Sequence, residues 1–272
     1  MTISEYLEQN ASRYDESCAM LRTEWTSPGY HTTIPDGRMV HPTREAVYYA
    51  LALLRSRNPS RRQRVHQVLD AILPLQDTDP VSPTFGVWPW LLEEPLEEMD
   101  KPDFNWACFI GVPIAMILLD HIDELEADLV GQLKDSLLAA VYSDFRRNVR
   151  SGYTNIALMG AALQLIGGRV LDDRFALEVG TRKLERFVEH LEHHGGVSEY
   201  NSPTYTAVAV EEIEKIIHYC LDQHAVQTAT TIHEHLWQMI VTHLHPGTGE
   251  WLGPHSRAYS DRLMPRTRVW LS

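Results

Sequence analysis

His194-Gly195-Gly196-Val197-Ser198-Glu199-Tyr200-Asn201-Ser202-Pro203-Thr204-Tyr205 reads as the connection between two long helices, and that reading sets the fold class. Gly195 and Gly196 end the preceding helix, because glycine takes the left-handed conformation there at little cost. Pro203 suits the first turn of the next helix, with Ser202 as its N-cap. On the upstream side, Phe175, Leu177, Val179, Leu184, Phe187, Val188 and Leu191 recur at helical spacing over 173–193. On the downstream side, Val208, Val210, Ile213, Ile216 and Ile217 do the same over 204–222. A bare connection needs only a few residues. This one carries His194, Glu199, Tyr200, Asn201 and Tyr205, so it is either a polar turn that caps its neighbours or a functional loop on a rigid scaffold.

Working outward, the same pattern repeats. Residues 3–14 read as a short amphipathic helix. Residues 23–42 read as loop. A helix begins with Thr43 as N-cap and carries Ala46, Val47, Ala50, Leu51, Leu53 and Leu54 inward. Asn58-Pro59-Ser60 breaks it, and a second helix runs to about Leu73. Residues 76–103 are irregular, since Pro80, Pro83, Pro89, Pro95 and Pro102 prevent a continuous helix. Asp103-Phe104-Asn105-Trp106 opens a helix that is apolar nearly all round. Further helices are expected over 123–148, over Ile156 to Ile166 with Gly167-Gly168 as the stop, and over 226–244. No stretch reads as a strand. The expectation is one all-α domain, 1–272, of antiparallel helix hairpins stacked as a solenoid or closed into a ring. In a ring, alternate connections share a face, where Asn155, the 194–205 loop and the 245–262 loop would converge.

Composition narrows the function classes. The chain has 272 residues, 44% hydrophobic and 22% charged, with a net charge of −13. A general nucleic-acid binder needs a basic face, so that class is excluded. An anionic ligand would have to use a local basic cleft. Arg257 and Arg262 lie in the most basic part of the chain. Cys18, Cys108 and Cys220 are widely spaced with no CxxC, which suggests neither a disulfide framework nor a cysteine zinc site. His233/His235 and His243/His245 are two residues apart and point away from each other on a helix, and HExxH is absent. No metal and no cofactor are therefore expected. The start, Met1 to Glu8, lacks a basic flank followed by an apolar stretch, and no apolar run reaches membrane length. The expectation is a cytoplasmic protein without a membrane partner. The sequence does not set an oligomeric state.

Trp88 and Trp90 stand in the proline-rich loop beside Glu93 and Glu94. Tryptophan rings stack on the apolar faces of sugars, but they also fill small cores under loops. Both roles stay open.

Gly86-Val87-Trp88-Pro89-Trp90, Asn105-Trp106, Tyr153-Thr154-Asn155-Ile156, the 199–205 stretch, and His245-Pro246 through Gly253-Pro254-His255-Ser256-Arg257-Ala258-Tyr259 together resemble the α/α-toroid superfamily of polysaccharide lyases. Its members include alginate, chondroitin AC and heparinase II/III-type enzymes. The resemblance covers most of the chain from about residue 80 and implies an incomplete or compact α/α toroid acting on an acidic oligo- or polysaccharide. Longer members add a C-terminal β-sandwich, and this chain stops where one would begin. In that superfamily an Asn, often followed by His, neutralises the uronate carboxylate, and a later Tyr carries the proton. The resemblance assigns these roles to Asn155 and Tyr205. Ile156 occupies the place of the usual His, so His255 is expected to supply it. Tyr200 is the alternative carrier. Arg257, Tyr259, Glu199, Asn201, His194, Trp88, Trp90, Asn105 and Trp106 are the expected substrate contacts.

The chemistry fits these residue types. β-Elimination removes the weakly acidic proton beside a carboxylate once donors offset the negative charge. A Tyr near a cation can take that proton and return it to the leaving oxygen. Tyr205 is preferred because it lies in the first helical turn, where the helix dipole favours a phenolate. A glycoside hydrolase would instead need two carboxylates across a cleft, for which Glu199 with Glu94 or Asp103 are candidates. A non-catalytic glycan- or protein-binding helical domain is the third possibility.

Overall fold

The computed structural model describes residues 2–26 and 31–258. The fold is all-α, as the helix–turn–helix pattern predicts. The chain divides into two compact units, Met1–Arg147 and Asn148–Ser272.

In the first unit, α1 (Ile3–Asn10) starts with a capping box. Thr2 Oγ1 accepts from the Glu5 amide at 3.2 Å, and the Thr2 amide donates to the Glu5 carboxylate at 2.6 Å. Two small antiparallel hairpins follow, which corrects the strand-free expectation. β1 (Tyr14–Asp15) pairs with β2 (Met20–Leu21), and β3 (Thr23–Glu24) pairs with β4 (Met39–Val40). Two-residue strands are too short to leave a period-two pattern.

The helices α2 (Thr43–Arg55) and α3 (Arg62–Ile72) pack as a hairpin. α2 also packs on α4 (Trp106–Asp120), which packs on α5 (Ala127–Arg147). Thr43 is the first helical residue of α2 and not its N-cap. Its hydroxyl donates to Pro89 O at 2.7 Å and accepts from Trp106 Nε1 at 3.0 Å, tying the proline-rich loop to two helices. α4 starts at Trp106 because Asp103 Oδ1 accepts from the Asn105 amide at 2.9 Å, a local turn that precedes the helix.

The loop after α3 is pinned to the core. Gly86 sits at φ +79°, and a Cβ there would lie 2.2 Å from Ala139 O. Trp88 is fully buried and donates to Ile72 O at 3.2 Å. Trp90 is buried and stacks on Trp106 with ring centres 4.9 Å apart. Asn105 is buried and accepts from the Arg147 guanidinium. These contacts correct the expected sugar-binding roles of Trp88, Trp90 and Asn105, whose surfaces are committed to packing, while Trp106 gives its N–H to Thr43.

The second unit is built on α6 (Thr154–Leu171), which packs against both α7 (Arg174–His194) and α8 (Tyr205–Tyr219). α9 (Gln223–His243) closes on α7 and α8. Residues 154–168 of α6 are all buried. By length and composition it is the one described helix able to cross a membrane, and 83% of that window is buried inside the protein. Gly167 and Gly168 do not end it. A Cβ on Gly168 would meet Ala176 and Leu177 at 3.1 Å, and one on Gly180 would meet Leu165 at 2.6 Å. These glycines let α6 and α7 approach closely. The helix ends instead at Asp172, in the left-handed region, and the Asp173 carboxylate accepts from the Phe175 and Ala176 amides to cap α7.

Candidate functional site

The 194–205 loop follows the expected punctuation at its start, whereas α8 begins at Tyr205 with Thr204 at the N-cap position, so Pro203 precedes the helix and Ser202 bonds to it from outside. Gly195 ends α7 at φ +70°. Ser202 Oγ accepts from the Tyr205 amide at 3.1 Å, and Ser202 O accepts from the Thr206 amide at 2.9 Å. Between these anchors the loop turns Glu199 inward.

Glu199 is 4% exposed. Its carboxylate accepts from the Asn155 backbone amide at 2.8 Å, from Asn155 Nδ2 at 2.8 and 2.7 Å, and from Arg257 Nη1. The Glu199 amide in turn donates to Thr154 Oγ1 at 3.3 Å. Thr154 and Asn155 are the first residues of α6, so Glu199 stands where a helix favours negative charge. The guanidinium of Arg257 adds a charge-assisted bond to the same carboxylate.

Arg257 links this buried base to accessible groups. Its Nη2 donates to the Tyr205 phenol oxygen at 3.1 Å. Its guanidinium carbon lies 4.1 Å from the Tyr205 ring centre and 5.6 Å from that of Tyr153. Arg257 is exposed and Tyr205 half-buried. The site is therefore layered, with Asn155 and Glu199 behind and Arg257 and Tyr205 in front.

The tail is laid along the loop through Asn201, which is fully buried at φ +52°. Its Nδ2 donates to Leu252 O at 2.6 Å and Pro254 O at 3.0 Å, and its Oδ1 accepts from Trp251 Nε1 at 2.5 Å. His255 Nδ1 lies 2.7 Å from Asn201 O, and the Ser256 amide donates to Tyr200 O at 3.0 Å. With a carbonyl as its partner, His255 Nδ1 carries a hydrogen.

A second phenol pairs with a histidine. The Tyr200 hydroxyl lies 2.7 Å from His243 Nε2, and His243 Nδ1 lies 2.7 Å from Met239 O. The carbonyl fixes the hydrogen on Nδ1, so Nε2 accepts from the phenol. This is a proton-accepting imidazole oriented by a third group.

The expected convergence of Asn155, the loop and the tail is thus present within the second unit. Two roles change. The Asn155 amide nitrogen donates to the two carboxylate oxygens of Glu199, which adds an orienting role to its expected one, and Asn201 holds the tail instead of facing outward. His194 turns to its own helix, with Nδ1 3.0 Å from His190 O and its ring 4.2 Å from that of His190. Tyr259 and Arg262 lie outside the described residues. Sequence reasoning missed His243 as the partner of Tyr200 and Tyr153 as an aromatic neighbour of Arg257. The first signal was available only as a histidine in the last turn of a helix, which is more often a dipole partner. Glu94, a candidate for hydrolysis, is buried in the first unit and accepts from the Thr33 amide and hydroxyl at 2.6 Å. Among the described residues, one group has metal-ligand chemistry: Asp15, Cys18 and His41 of the first unit.

The fold and this geometry define an all-α protein with an arginine–tyrosine pair backed by a buried asparagine–glutamate pair. The model of the family described as Domain of unknown function (DUF8769) matches residues 11–267, and the chain belongs to that family. No curated protein and no solved structure matches it.

Proposed function

We propose that the protein is a lyase that cleaves an acidic, uronate-containing saccharide by β-elimination, on an α/α-toroid arrangement of helix hairpins. The observation that carries this reading is the Arg257–Tyr205 contact, a guanidinium 3.1 Å from a phenol oxygen at the accessible side of the site. A cation at that distance stabilises the phenolate needed to take a weakly acidic proton. Tyr205 O receives the proton beside the substrate carboxylate. The electron pair left behind forms the carbon–carbon double bond as the glycosidic bond breaks. The leaving oxygen then takes the proton back from Tyr205, so no water is consumed. Arg257 offsets carboxylate charge, and Glu199 and Asn155 are positioning residues that hold it. Tyr200 with His243 is a second proton carrier on the same loop.

The hydrolase alternative has less support, because the Glu199 carboxylate is already engaged by Asn155 and Arg257. The test is a panel of uronate polymers and oligomers followed by ultraviolet absorbance of the conjugated product and by reducing ends. Absorbance growing in step with chain ends supports elimination. Reducing ends without absorbance would move the protein to the hydrolases, and binding without either product would leave a glycan-binding domain.

A further inference from the structure

The first unit carries a second cluster, unrelated to the saccharide site. In the β1–β2 hairpin, Asp15 pairs with Met20, so residues 16–19 form the turn. Ala19 takes φ +58°, which folds Cys18 back toward Asp15. Asp15 Oδ1 accepts from the Ser17 amide at 2.9 Å and from the Ser17 hydroxyl at 2.6 Å. That fixes the carboxylate and leaves Oδ2 toward His41, whose Nε2 lies 3.5 Å away.

His41 follows β4 directly and is held by Glu93. The His41 amide donates to Glu93 Oε2 at 3.0 Å, and His41 Nδ1 lies 2.5 Å from Glu93 Oε1. A carboxylate can only accept here, so Nδ1 carries a hydrogen. The opposite atom, Nε2, is buried and makes no hydrogen bond. Nε2 thus faces a carboxylate oxygen 3.5 Å away, and a cation between them, either a proton on the ring or a metal ion, offsets the repulsion of two electron-rich atoms. Cys18 Sγ completes the group, with the three donor atoms within 4.8 Å of one another.

We propose that Asp15 Oδ2, Cys18 Sγ and His41 Nε2 bind a divalent transition metal ion, zinc being the best match to the donor set. A tetrahedral zinc with bonds of about 2.0–2.3 Å holds its ligand atoms roughly 3.3–3.7 Å apart. The 3.5 Å between Asp15 and His41 already has that value. The thiol and the imidazole exclude calcium and magnesium, which take oxygen ligands. Glu93 on Nδ1 supplies the carboxylate that orients a metal-bound histidine and makes it more basic. Binding releases the thiol proton, and the fourth position is open to water or a further ligand.

The test uses the full chain without a histidine tag, stripped with chelator and titrated with zinc and with cobalt(II). The expected result is one equivalent of zinc per chain. The cobalt form should show a near-ultraviolet thiolate charge-transfer band that disappears in C18S, and affinity should fall about ten- to a hundredfold in E93Q. Cys108 and Cys220 serve as internal thiol controls. Two results overturn the proposal. One is a folded wild-type chain that takes up no zinc and shows no thiolate band, which would leave a protonated His41 bridging two carboxylates. The other is zinc uptake unchanged in C18S and D15N, which would assign the metal to surface histidines. If C18S does not fold, the wild-type cobalt spectrum still decides.

Discussion

Arg257 donates to the Tyr205 phenol at 3.1 Å while its guanidinium carbon lies 4.1 Å from the centre of the same ring. One cation thus meets the phenol both at its oxygen and across its face. The same guanidinium bonds Glu199, so the placement of an accessible phenol depends on a buried carboxylate.

That dependence predicts the effect of removing the carboxylate. Glu199→Gln weakens the charge-assisted bond to Arg257 and puts an NH2 among donors that need an acceptor. Breaking a buried pair costs about 3–5 kcal/mol, less where one partner reaches solvent as Arg257 does. The expected loss in urea unfolding is about 1–3 kcal/mol. A double-mutant cycle with Arg257→Gln should show strong coupling, and additive effects would argue that the contact is incidental.

Asn201 is predicted to hold the tail. Asn201→Ala removes the partners of Leu252 O, Pro254 O and Trp251 Nε1 and also strains φ +52°. The expected cost is about 2–4 kcal/mol, with faster proteolysis in 245–258. Asn201→Gly relieves the backbone strain but not the lost bonds. Protection equal to wild type in the glycine variant would show that the side chain is dispensable.

Two glycine substitutions should act with opposite signs. Gly180→Ala places a Cβ 2.6 Å from Leu165 Cγ and is expected to destabilise by about 1–3 kcal/mol. Gly131→Ala, inside α5 with nothing within 4 Å, is expected to stabilise by about 0.5–1 kcal/mol. Thermal melts of the two variants side by side check both.

His190 gives the second unit a pH dependence. Burial first, then the neighbouring His194 and His193, lower its pKa below the ordinary value of 6.5. The unfolded chain therefore binds this proton more readily. The contribution to stability is complete above 6.5 and is lost as the pH falls below it. His190→Gln should flatten the acid side of a stability profile, and an unchanged slope would assign the effect to other groups.

The helices were legible because their apolar residues recur at a period that burial imposes, and α7 ends at Gly195 as its local chemistry requires. Local signals failed where tertiary packing overrode them. Gly167-Gly168 looks like a helix stop, yet both glycines are buried inside α6 and Gly168 lies against Ala176 and Leu177 of α7. Thr43 looks like an N-cap, yet its hydroxyl serves Pro89 and Trp106. Trp88 looked equally suited to a sugar and to a core, and only its burial decides. The convergence of Asn155, Glu199, Tyr205 and Arg257 followed from connectivity, but the direction of the Asn155 amide did not. Asp15, Cys18 and His41 escaped notice because a turn and a strand end bring them together with no motif spacing.

The most direct measurement compares wild type with Tyr205→Phe, both shown to be folded, by the growth of conjugated absorbance on a uronate polymer. Elimination through Tyr205 predicts measurable turnover in wild type and a loss of roughly a hundred- to ten-thousandfold in the variant. Wild-type turnover retained by Tyr205→Phe, or no absorbance from wild type on any uronate substrate, would contradict the account.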